Sequence, residues 1–188
     1  MTFLLRVCAA LALLVVGITG VFAHPLHGAD AASGLIHPFV GLDHLLAAVA
    51  VGMWAARLGG RALWIVPAGF VSAMLLGCAV ALAGYAPAAV EPMIAASVAV
   101  FGLILFFRFG TGVAIATVLA GCFALFHGMA HGSGLDGAAL PFVLGLVCAT
   151  AALHAIGVVL ARKLPAAVPA AGAGLAAAGA WWIAAAVL

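Results

Sequence analysis

The chain has 188 residues, 69% of them apolar and 5% formally charged, with a mean hydropathy of +1.44. A soluble domain is roughly 45–50% apolar and about 25% charged, so these proportions exclude a soluble enzyme, and a disordered chain as well. The net charge of +2, with no basic run, carries no nucleic-acid footprint.

The first 23 residues read as a cleavable signal peptide: Arg6 supplies a positive start, Leu11 to Ile18 an apolar core, and Val21-Phe22-Ala23 the small residues of a cleavage site. Residues 24–188 then form the mature domain, opening on His24, Pro25 and His27. A free α-amine beside the His24 imidazole makes a chelate for a borderline cation, while Pro25 has no N–H with which to wrap it. A solvated start with incidental histidines is the competing reading.

Six apolar segments follow, over about 35–56, 62–84, 91–107, 111–130, 139–161 and 167–188. Each approaches the roughly 20 residues a helix needs to span hydrocarbon, where backbone groups must be satisfied within the segment. The fold class expected is all-α, a polytopic bundle of six transmembrane helices. Basic residues test the orientation. Arg57, Arg61, Arg108, Arg162 and Lys163 fall on the same side as Arg6, whereas 24–34, 85–90, 131–138 and the C-terminus hold no Lys or Arg. Positive-inside bias therefore puts the mature N-terminus and the C-terminus outside. Trp54 and Trp64 are expected at the inner interface, with Tyr85, Trp181 and Trp182 at the outer one. Ala170, Gly174 and Ala178, four residues apart, offer a stripe for close helix contact. Cys8, Cys78, Cys122 and Cys148 lie in apolar stretches without metal or redox spacing and read as small buried residues.

Chemistry is concentrated in the histidines. The first mature helix begins His37-Pro38-Phe39-Val40-Gly41-Leu42-Asp43-His44. On one continuous helix His37 and His44 share a stripe, Gly41 between them leaves room for a small ligand, Pro38 falls in the first turn, and Asp43 stands about 100° round from His44. A carboxylate at membrane depth faces the interior with a partner; a purely architectural tie is the alternative. Near the end of the fourth segment, Phe126-His127-Gly128-Met129-Ala130-His131-Gly132 puts two imidazoles at i and i+4, the spacing that grips one ion, with Gly128 and Gly132 keeping neighbouring positions open. No Glu follows His127, so the motif is not that of a zinc protease. His154 is deeper in the fifth segment, equally a ligand or an interhelical hydrogen bond.

The stretches 37–52 and 126–132, with a signal peptide ending just before His24-Pro25-Leu26-His27-Gly28, resemble the HupE/UreJ family of nickel permease-like proteins associated with hydrogenase or urease maturation. The resemblance implies uptake of Ni²⁺ or Co²⁺ across a bacterial inner membrane, no permanently bound cofactor, no enzymatic activity, and hydrogenase or urease maturation proteins as partners. It carries over His37, Asp43, His44, His127 and His131 as the metal-handling residues. The family's second motif usually continues to a Glu; here Ser133-Gly134-Leu135 precedes Asp136. Without a Walker A sequence, energy must come from a gradient or the membrane potential. A non-transporting nickel-binding accessory protein, a b-type cytochrome and an intramembrane protease using Ser133 and His154 are the alternatives.

Overall fold

Runs this rich in Ala, Leu and Val can satisfy their backbone in lipid only as helices, and a computed structural model is all-helical over the residues it describes, 30–133, 135 and 139–187. The signal peptide, His24, His27 and Asp136 lie outside them. Among the described residues seven helices run in order: α1 (Ala31–Val40), α2 (Leu42–Leu58), α3 (Ala62–Leu82), α4 (Val90–Phe106), α5 (Val113–Gly132), α6 (Ala139–Lys163) and α7 (Val168–Val187). Among the described residues four helices, α3, α5, α6 and α7, are long and apolar enough to cross a membrane; α1 with α2 makes one further candidate, and α4 is a shorter apolar helix of 17 residues.

The first expected span is not one helix. It breaks at Gly41, and α1 and α2 meet at 85°. The helix starts at Ala31, capped by the Asp30 carboxylate on the Ser33 N–H at 2.7 Å, so Pro38 falls in the last turn of α1 rather than the first. There its missing N–H removes a helical bond to Gly34, and three residues later Gly41 takes an extended ψ of 103° that ends the helix. The single-stripe geometry expected for His37 and His44 therefore does not exist.

Helix pairs are sealed by glycines, since lipid supplies no hydrophobic drive between helices and close backbone contact must replace it. A Cβ at Gly128 of α5 would strike the Met74 carbonyl of α3, and one at Gly132 the Cys78 carbonyl. Neither glycine holds space for a ligand, as the sequence suggested; both are filled by α3. On α7 it is Gly172, Ala176 and Gly179 that meet α4, while Gly174 faces open space. Of the expected stripe at 170, 174 and 178 only Ala178 is buried, so the packing face is offset from it, and small residues at several registers mean that spacing alone cannot choose a side.

Trp54 also departs from expectation. It is 1% exposed, packed against Phe101 at 6.1 Å in the core, while Trp64 and Tyr85 are exposed as an interfacial belt requires. Cys78 is buried, but Cys122 and Cys148 are exposed on the helix surfaces.

The Arg-bearing end is closed by helix-capping chemistry. Arg57 donates to the Leu105 and Arg108 carbonyls at 3.2 and 3.4 Å, putting a cation against the negative C-terminal end of α4. Arg108 itself has φ 56°, and the bonds from its N–H to Leu105 and from Phe109 N–H to Ile104 complete a Schellman turn. The same turn ends α3 with Gly84 at φ 90°.

Candidate functional site

The break at Gly41 gathers what a straight helix would have spread along a face. His37 ends α1, His44 begins α2, and both meet the end of α5. The ring centroids of His37 and His131 are 4.8 Å apart, those of His44 and His131 4.5 Å, and those of His44 and His127 4.6 Å. His44, His127 and His131 are buried, and His37 is half-buried. The two motifs, more than 80 residues apart in sequence, thus form one cluster of four imidazoles.

Hydrogen-bond accounting assigns the nitrogens. Asp43 stands in the first turn of α2 and its Oδ1 accepts both the His44 backbone N–H and the His44 Nδ1–H, each at 2.7 Å. The carboxylate holds the ring from behind, and His44 Nε2 is left as the lone-pair nitrogen, buried and without a hydrogen-bond partner. On α4, Ser97 spends its one proton on the Ile94 carbonyl at 2.6 Å, so its oxygen accepts from His127 Nε2 at 2.9 Å. In the neutral ring that leaves the lone pair on His127 Nδ1. Two different helices therefore fix two imidazole tautomers, the arrangement that orients histidine ligands in metal sites.

Pro38, His44, Ala48, Phe70, Met74, His127, His131 and Thr150 line a cavity of about 10 Å³. A cavity needs roughly 10–15 Å³ to hold one water, so this one has room for about one small occupant. Among the described residues, no three His, Cys, Asp or Glu side chains stand in ready coordination geometry. The rings pack edge-on against one another and must rotate to share an ion. A haem has no room here, which removes the cytochrome reading. The protease reading also fails: Ser133 donates to the Ala130 carbonyl at 3.0 Å, while His154 pairs with the Ala48 carbonyl at 2.8 Å.

Of the residues expected to handle metal, His37, Asp43, His44, His127 and His131 come together here. Sequence reading missed Ser97, Phe70, Met74 and Thr150. Ser97 had a signal: apart from Glu91 at its start, α4 is otherwise without a side chain that can hydrogen-bond, and a polar group inside such a run needs a partner. Phe70 and Met74 had none, being ordinary members of an apolar helix.

Comparison with known proteins agrees with the motifs. The family model described as HupE / UreJ protein matches residues 11–182. The chain is 45% identical over 138 residues to Protein HupE of Rhizobium leguminosarum bv. viciae, covering 72% of each chain. No solved structure matches.

Proposed function

This chain belongs to the HupE/UreJ family of multi-pass membrane proteins, transport and accessory proteins related to nickel uptake for hydrogenase or urease rather than enzymes, and from that premise we propose that it is an inner-membrane permease for Ni²⁺, with Co²⁺ the closest competitor. The observation that carries the reading is the cluster of His37, His44, His127 and His131 rings, each within 4.8 Å of another member, three of which, His44, His127 and His131, line a cavity with room for about one water-sized occupant. Imidazole with a carboxylate behind it suits Ni, Co and Zn, whereas Cu(I) prefers thiolate and thioether.

In this reading residues 1–23 are removed as a signal peptide and six spans remain: the bent α1–α2 pair, α3, α4, α5, α6 and α7. The Arg-bearing end is cytoplasmic, and the His-bearing end and both mature termini are periplasmic. His24 and His27 collect the ion at the entrance. It sheds water as it passes to the imidazoles, with His44 presented by Asp43 and His127 by Ser97. Ligands held in a ring-on-ring stack bind only by displacing one another, which keeps the ion from settling too deeply to leave. The membrane potential supplies roughly 4.6 kcal/mol per 100 mV to a divalent cation moving inward.

Radioactive nickel uptake into proteoliposomes under an inside-negative potential tests this. Wild-type protein is expected to transport and His127→Ala to lose roughly 100-fold or more of the rate. Tight nickel binding with no flux in the wild type would instead establish an accessory protein that binds the ion and hands it on.

A further inference from the structure

Among the described residues one buried imidazole remains outside the four-ring cluster. His154 of α6 is 3% exposed, in the middle of the bundle. Its Nδ1–H donates to the Ala48 carbonyl of α2 at 2.8 Å, and its Nε2 is buried with no hydrogen-bond partner. An imidazole nitrogen kept from water without a partner costs free energy, so a residue that served only to tie α2 to α6 would be better replaced by one without it.

Its neighbours connect it to the cluster. The Phe70 ring contacts His127 at 5.7 Å and His154 at 5.1 Å. Ala48, whose carbonyl fixes the His154 tautomer, lines the cavity, as do Phe70 and Thr150, and Thr150 lies one turn from His154 on the same face of α6. From the His-bearing end the ring contacts run His37, His131, His44, His127, Phe70, His154 without a gap over 5.7 Å. His44 and His154 have the same wiring: Nδ1 held by an oxygen of the protein, Nε2 presented bare.

We propose that His154 is a second, inner metal-binding station, a single-imidazole site for a divalent cation leaving the cluster, with the Phe70 ring as the movable partition between the two. This rests on the permease reading. One imidazole, completed by water, binds weakly, as the last station before release must.

The test exploits the two nitrogens. An asparagine amide reproduces the Nδ1–H donor, and a glutamine amide reaches the position of Nε2, where its oxygen is a weak ligand. In proteoliposomes with radioactive nickel, His154→Asn is expected to lower uptake at least 10-fold and His154→Gln to retain the larger share, both with outer-cluster nickel binding at the wild-type level by calorimetry. Uptake by the Asn variant equal to or above that of the Gln variant would assign His154 to the Ala48 tie and overturn the proposal. Loss of nickel binding in both variants would assign it to architecture and overturn it too. A wild type without uptake would fail the permease reading itself, a result separable from any difference between the two variants.

Discussion

The two ends of the bundle both collect nitrogen-bearing side chains, and they use them in opposite ways. At one end Arg57 and Arg108 sit exposed, with Arg57 turned onto backbone carbonyls at the close of α4. At the other, three imidazoles are buried, and two of them, His44 and His127, spend an N–H on Asp43 and Ser97. Guanidinium keeps its charge and has donors only, so it can cap a helix or meet a phosphate but never ligate a cation. Neutral imidazole keeps one lone pair once its N–H is bonded. The difference between a helix cap and the proposed metal port is thus which nitrogens have a proton to give.

The largest effect that would break this contrast lies in Asp43. Its role behind His44 predicts that Asp43→Asn lowers nickel uptake about 10–100-fold, the usual cost of losing a carboxylate that orients a histidine ligand, and Asp43→Ala at least as much. Rates at several nickel concentrations measure it; unchanged uptake would make Asp43 architectural only. Next comes the seam that brings α5 to α3. A methyl at Gly128 meets the Met74 carbonyl, so Gly128→Ala should cost about 1–3 kcal/mol, read as a lowered thermal midpoint in detergent, with nickel affinity falling as His127 and His131 shift. A wild-type midpoint would show that the two helices are free to part.

The smallest effects belong to the Arg-bearing end. Arg108→Gly relieves a left-handed backbone and should stabilise by about 1 kcal/mol, whereas Arg57→Ala should cost roughly 0.5–1 kcal/mol through loss of the cation at the end of the α4 dipole. Both should bind nickel as the wild type does. A loss of binding in either would mean the ends are coupled and the contrast is too sharply drawn.

Much of the site was legible in the chain. The HxxxH spacing on α5 needed only helical periodicity, and His127 and His131 are where it puts them. For His37 and His44 the residues were right and the geometry wrong. Seven residues on a helix share a stripe only if the helix is continuous, and Pro38 with Gly41 breaks it. Ser97 could have been suspected as a polar group in an apolar run, but its partner, 30 residues away, could not. Trp54 read as an interfacial residue because Trp is amphipathic; its distance from Arg57 along the helix says nothing about which side faces Phe101.

Composition and periodicity determined a great deal unaided: a membrane-embedded helical bundle, segments close to those observed, basic residues gathered at one end, and the imidazoles and carboxylate that the fold brings together. These properties follow from transfer free energies and helical geometry, which act locally along the chain. Tertiary structure decided the bend at Gly41, which face of each small-sided helix seals against its neighbour, and which nitrogen of His44, His127 and His154 holds the lone pair. Those depend on contacts between helices distant in sequence, where a Cβ too many or one hydroxyl proton sets the outcome.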